Sequence, residues 1–202
     1  MKTARIAVLV SGGGTNLQAL IDAQSRGEIP HGSIELVISN SADAFALTRA
    51  ERAGIPWVVI TKKEQGSQEA FENAILDQLA ASKIDLIVLA GFMAILSKRF
   101  TEAYPKRILN IHPSIIPAFC GEGYYGLRVH QAALDKGVKV TGATVHFVNE
   151  VPDGGEIILQ KAVDVLPGDT PEVLQKRVME QAEWLLLPRA VELVAAEICK
   201  EG

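Results

Sequence analysis

ARIAVLVSGGGTNLQALID, residues 4–22, runs from an apolar stretch through three glycines into a pattern of helical period. Residues 4–10 barely alternate between apolar and polar, which marks a strand covered on both faces, as in a parallel sheet. Gly12, Gly13 and Gly14 allow a sharp turn and a close approach of backbone to a ligand. A helix follows from about residue 16, with Leu17, Leu20 and Ile21 on one side and Gly27 as its stop. Thr15 and Gln18 fit a capping box at its start.

The same rhythm repeats downstream. IELVISN (34–40), WVVI (57–60), DLIVLAGF (85–92) and ILNIH (108–112) read as further strands. Between them lie a helix over about 42–53 that ends near Gly54, and one capped by Ser67 that carries Phe71, Ile75 and Leu79. This alternation predicts an α/β fold: a Rossmann-like, mainly parallel twisted sheet with helices on both faces. After residue 120 the rhythm changes. A glycine-rich loop, GEGYYG (121–126), precedes a short helix. TGATVHFVN (141–149) and EIILQKAVDV (156–165) flank the turn PDGG, which predicts a hairpin and an antiparallel element in the C-terminal half. Thr170-Pro171 starts a last helix, and Pro188 is expected to kink or divide it.

The 202 residues suit one domain spanning 1–202, with 48% hydrophobic and 22% charged residues. A net charge of −4 gives no basic field, so a nucleic-acid partner is not expected. Cys120 and Cys199 are the only cysteines, too few for a disulfide framework or a zinc site, and point to a reducing cytoplasm. No stretch reaches the roughly 20 apolar residues of a membrane span.

Three places carry candidate chemistry. The first is the loop Gly12, Gly13, Gly14, Thr15 and Asn16. The free N–H groups and positive dipole end of the helix it opens would suit a phosphate, although a bare strand-to-helix turn fits the pattern too. The second is Asn110 and His112. Strand alternation puts both on one face, opposite Leu109 and Ile111, and Pro113 ends the strand there. Asn is uncommon in strands and a buried amide needs partners, so the pair at a strand's carboxyl end points to a site. The third is Asp153, which on pattern alone is a turn residue. His146 reads as a hydrogen-bonded core residue, and His31 and His130 as surface residues. No ligand spacing for a metal and no G-x-S-x-G motif occur.

SGGGTNLQALID, DLIVLAGFMAILS, LNIHPSIIPAF, TGATVHFVNE and DGGEIILQ, taken in order, resemble the glycinamide ribonucleotide formyltransferases, within the 10-formyltetrahydrofolate-dependent formyltransferase superfamily. The resemblance covers nearly the whole chain, and its N-I-H-P-S motif is common to the superfamily. It implies formyl transfer from 10-formyltetrahydrofolate, a co-substrate, to the amine of glycinamide ribonucleotide in purine biosynthesis, without a metal. Residues of about 1–105 would form the ribonucleotide half and about 106–202 the catalytic and folate half. Asn110, His112 and Asp153 would be catalytic. The amine would attack directly, Asn110 and His112 would stabilise the oxyanion, and Asp153 would favour a charged His112 and assist proton transfer. Gly12, Gly13, Gly14, Thr15, Asn16 and Glu183 would hold the ribonucleotide, the spacing from Glu183 to Pro188 being one residue longer than in some members. Gln68, Met93, Ala94, Ile95, Leu96 and Asn110 would meet the folate. Gln68 and Ala94 stand where many members carry arginine, so two cations are missing on the folate side. The resemblance further implies small-molecule partners only, no membrane, and a monomer or homodimer. Related deformylases and methionyl-tRNA formyltransferases carry an added domain; with the first strand at residue 4 and a last helix reaching residue 202, neither is the expected reading.

Overall fold

β1 (Ala4–Val10) explains the layering. Ile6, Val8 and Val10 enter one core layer, while Ala7 and Leu9 enter the other. A strand that is apolar on both faces can be stable only with helices above and below it. The computed structural model describes residues 3–201. The remaining strands are β2 (Gly32–Ser39), β3 (Trp57–Val59), β4 (Leu86–Leu89), β5 (Ile108–His112), β6 (Val140–Phe147) and β7 (Ile157–Asp164). The helices are α1 (Thr15–Ser25), α2 (Phe45–Arg52), α3 (Lys62–Gln65), α4 (Gln68–Ala81), α5 (Lys98–Ala103), α6 (Leu127–Lys136), α7 (Pro171–Val178) and α8 (Trp184–Glu201).

The strands form one sheet in the order β3-β2-β1-β4-β5-β6-β7. β1 to β5 pair in parallel, and β5, β6 and β7 pair antiparallel, as the sequence predicts. One core layer packs α1, α2, α7 and α8 on the sheet, through residues such as Leu17, Leu20, Val178 and Leu187. The other packs α4 and α5 through Phe71, Ile75, Leu79 and Phe100. Ser67 and Thr170 cap α4 and α7 as expected, accepting from the N–H groups of Ala70 and Val173. No helix among the described residues is long and apolar enough to cross a membrane.

Two local details differ from expectation. The capping box at α1 does not form, because Thr15 is already the first helical residue and Gly14 takes the N-cap with φ 69°. The Thr15 hydroxyl reaches Met179 Sδ instead, at 3.7 Å. Pro188 does not divide the last helix. It lies buried within a continuous α8, and the irregularity is a π-helical segment, Met179–Glu183, just upstream. A proline ring crowds the carbonyl four residues back, here that of Trp184. Trp184 is the residue at which α-helical geometry resumes after the π turn.

Gly14 is required by packing. A Cβ there would lie 2.6 Å from Ala46 Cβ and 2.8 Å from Ala46 Cα, on a backbone already at positive φ. Gly12 and Gly13 have open space around them. Gly14→Ala is therefore expected to cost about 2 kcal/mol, a fall in Tm of about 4–8 °C for a domain this size. Gly12→Ala should melt like the parent. Thermal unfolding of both variants checks this, and a parental Tm for Gly14→Ala would contradict the packing described.

Candidate active site

The strand order reverses between β1 and β4, and the crevice of an open α/β sheet lies outside the carboxyl ends at such a point. The two loops that leave these ends are tied together: the Met93 N–H donates to Ser11 Oγ at 2.8 Å. A cavity of about 760 Å³ opens beside them, with Asn16, Met93, Asn110, His112, Asp153 and Glu183 in its wall. A smaller cavity of about 120 Å³ adjoins it and shares Ala94, Ile95, Asn110 and Asp153. Leu96, Phe92 and Val148 make it apolar. Among the described residues, neither cavity has Lys or Arg in its wall.

Asn110 and His112 lie on one face of β5, while Leu109 and Ile111 pack into the α1/α8 core layer. Asp153 reaches them from the β6–β7 connection. That connection folds back tightly, since a Cβ on Gly155 would lie 1.7 Å from the Phe147 carbonyl oxygen. Asp153 has φ 55°, a conformation that Asp and Asn tolerate better than most residues. It is thus a turn residue and a member of the cluster at once. Its Oδ2 lies 3.4 Å from His112 Nδ1 and accepts the Gly121 N–H at 2.8 Å.

His146 is the buried, hydrogen-bonded core residue expected, and it also completes the cluster. It faces Asn110 across the β5–β6 ladder. Its Nδ1–H donates to the Phe147 carbonyl at 2.8 Å, and its Nε2 accepts from the Asn110 amide at 3.2 Å. Asp153 Oδ1 lies 3.5 Å from the same Nε2 and from Asn110 Nδ2. One Asn110 donor is therefore engaged, and the other is held only at the limit of a hydrogen bond. An antiparallel register through the PDGG turn would have been the sequence signal for His146. His130 departs from expectation. It has no exposed surface, its ring nitrogens have no partner among the described residues, and it lies in the wall of the large cavity. His31 stays at the surface, 2.6 Å from Glu192.

Burial pushes the His112 imidazole below its usual range, and it outweighs the attraction of Asp153. The expected net rise from Asp153 is thus reversed. Burial pushes the Asp153 carboxyl the other way, up, but the His146 ring, the His112 ring and the Gly121 N–H together hold it below the usual carboxylate range. Asp153 is an anion beside an imidazole that takes a proton only at acid pH. The Phe119 carbonyl, which can only accept, lies 2.9 Å from His112 Nε2 and so fixes the ring proton there. Nδ1 then carries a lone pair.

The remaining site residues are distributed unevenly. Asn16 Nδ2 donates to Glu183 Oε2 at 2.7 Å, so α1 and the π turn meet at the cavity. Gly12, Gly13, Gly14 and Thr15 lie outside the cavity wall, though their loop borders Asn16. Arg49 supports that loop, donating from Nε to the Gly13 carbonyl at 2.8 Å. Met93, Ala94 and Ile95 line the large cavity, and Ala94, Ile95 and Leu96 the small one. Gln68 lines neither. Its amide donates to Glu72 at 2.7 Å and to the Ile95 carbonyl at 3.1 Å, and so holds the loop in place.

Glu183 is almost wholly buried, and burial pushes its carboxyl up to about 7 from an ordinary 4.5, against the opposing bond from Asn16. The folded state therefore keeps a proton that the unfolded chain releases, and stability declines as pH rises through this interval. Glu183→Gln removes that decline. Its Tm is expected to gain on the parent by about 5 °C between pH 5 and pH 8, in melts run at both values. A constant difference would contradict the buried carboxyl.

The Formyl transferase family model matches residues 4–191. The phosphoribosylglycinamide formyltransferase of Haemophilus influenzae is 46% identical over 188 residues, covering 93% of this chain and 85% of that protein. The trifunctional purine biosynthetic protein adenosine-3 of Bos taurus is 47% identical over 202 residues, and this chain spans 19% of its length. The crystal structure of glycinamide ribonucleotide transformylase 1 from Symbiobacterium toebii matches with a TM-score of 0.90 at 45% identity, covering 96% of this chain and 89% of that one. A match over nearly the whole chain, together with a shared fold, places this chain in the formyl transferase family.

Proposed function

We propose that the protein transfers a formyl group from 10-formyltetrahydrofolate to the amine of glycinamide ribonucleotide, a step of purine biosynthesis. The observation that carries this reading is the convergence of Asn110, His112, His146 and Asp153 at the meeting of two cavities. The apolar slot suits a flat heterocycle, and its shared wall with the larger cavity would set a folate beside a ribonucleotide. The ribonucleotide phosphate is assigned to the loop Gly12–Asn16, where the first-turn N–H groups of α1 have no intrahelical partner. Glu183 and Asn16 face the sugar. Met93, Ala94, Ile95 and Leu96 meet the folate, positioned by Gln68. Its acidic tail extends past walls that have no cation among the described residues.

The free amine attacks the formyl carbon, and the carbonyl electron pair moves to oxygen. That oxygen is met by the loosely held Asn110 N–H, a preorganised donor worth about 3 kcal/mol in comparable sites. The nitrogen that attacked is now positively charged and must lose a proton. His112 enters as a neutral imidazole whose Nδ1 lone pair accepts it. The resulting imidazolium is stabilised by Asp153, so the charge appears only as the reaction needs it. As the oxyanion collapses, the C–N10 bond breaks and the same proton passes to N10. An assay with both substrates tests the reading by following formylated ribonucleotide and free tetrahydrofolate in equal amounts. Formate release without ribonucleotide would instead mark a hydrolase.

Asp153→Asn keeps the turn conformation and removes the charge. The rate is expected to fall by a factor on the order of 10². Asp153 raises the His112 pKa, so its loss lowers that value further, and the acid limb of the pH–rate profile should move to lower pH. A variant with parental rate and profile would return Asp153 to a turn role alone. Gly13→Val adds bulk where the fold leaves open space. It should keep the parental Tm and raise the KM for the ribonucleotide about tenfold or more, with the KM for folate unchanged. An unchanged ribonucleotide KM would remove the phosphate from this loop.

A further inference from the structure

His112 is held from one side by a carbonyl, and that carbonyl belongs to a loop with its own anchorage. Phe119 lies seven residues beyond His112, in the segment that follows β5. The segment is knotted by the Thr144 side chain. Thr144 Oγ1 donates to the Ser114 carbonyl at 2.7 Å, accepts the Ile116 N–H at 3.1 Å, and accepts the Gln160 amide at 3.0 Å. A hydroxyl has one donor and two acceptor sites, and all three are used. Gln160 Nε2 also donates to the Ile116 carbonyl at 2.9 Å. Ser114 Oγ donates to the Ala118 carbonyl at 2.6 Å, one residue before Phe119. Thr144 and Ser114 are fully buried.

The sheet register puts these groups in one row. His112 lies opposite Thr144 on β6, and Thr144 lies opposite Gln160 on β7. We infer that Thr144 and Gln160 are positioning residues for His112: they fix the 114–119 loop so that the Phe119 carbonyl holds the ring proton on Nε2 and leaves Nδ1 toward Asp153 and the cavity. Neither residue touches the reacting atoms. The inference rests on the formyl-transfer reading for its kinetic consequence, but not for its structural one. If the loop loosened, Nε2 would lose its acceptor, and the proton would shift in part to Nδ1, where Asp153 accepts it. Nδ1 would then have no lone pair for the proton of the attacking amine.

The test uses Thr144→Val, Thr144→Ser and Gln160→Leu in the full chain, with steady-state kinetics and the ¹⁵N shifts of the His112 ring. Thr144→Val keeps the shape and removes the hydroxyl. It is expected to lower kcat at least about tenfold, as small misplacements of reacting groups do, with both KM values within about twofold of the parent. Its His112 shifts should show the Nδ1–H tautomer, absent from the parent. Thr144→Ser restores the hydroxyl and should recover kcat and the parental ring shifts. Gln160→Leu, at an exposed position, should move both readouts the same way by less, and it carries the test if Thr144→Val does not fold. Parental kcat and ring shifts in Thr144→Val and Gln160→Leu would overturn the inference. So would a loss of kcat with unchanged ring shifts, or one that serine does not rescue. Should the parent transfer no formyl group at all, the functional reading falls, while the ring shifts still decide whether this row orients His112.

Discussion

β5 pairs in parallel with β4 on one side and antiparallel with β6 on the other, and the site depends on that double pairing. The parallel side places the carboxyl end of β5 beside that of β4, at the crevice where ligands reach an open sheet. The antiparallel side brings β6 past the same end in the opposite direction. It sets His146 against Asn110 and Thr144 against His112, and the return to β7 carries Asp153 back over both. A wholly parallel sheet would send the next segment away into a helix, and no side chain from it would return to this point.

The electrostatics follow from depth. His112 has little contact with water, so its charged form is costly even beside a carboxylate. Asp153 lies in the same cluster yet stays ionised, since the Gly121 N–H meets one of its oxygens and the Asn110 amide lies beside the other. One group is a ready anion and the other a neutral base held in a single tautomer. Such a pair can take up a proton without a large rearrangement, because the two groups that would form the ion pair already lie 3.4 Å apart.

The far wall is built from polar groups that are costly to bury. Asn16 and Glu183 come from positions 167 residues apart, and each is nearly closed off from water. Asn16 Oδ1 has no partner among the described residues, and only one Glu183 oxygen accepts the Asn16 amide. The π turn that delivers Glu183 departs from ideal helix geometry at the same place. Unfilled hydrogen-bonding capacity, a raised carboxyl pKa and irregular backbone at one cavity wall are costs to folding, of the sort that ligand-binding sites carry.

Residues 4–22 by themselves determine much of the architecture, because a strand apolar on both faces followed by a glycine turn and an amphipathic helix has few stable arrangements. The Asn110/His112 pair was legible for a similar local reason, alternation ended by a proline. The resemblance to formyltransferases, carried by motifs spread along the chain, supplied the roles proposed for them. The dual nature of Asp153, the place of His146 and the burial of His130 lay outside local pattern, since each depends on strand register or loop return. The downward direction of the His112 pKa was equally hidden: a sequence names the neighbouring carboxylate but not the depth at which both sit. Local spacing determined which residues share a face. Only the tertiary structure decided which faces meet and how far from water, because desolvation and register come from contacts between segments that are distant in the chain.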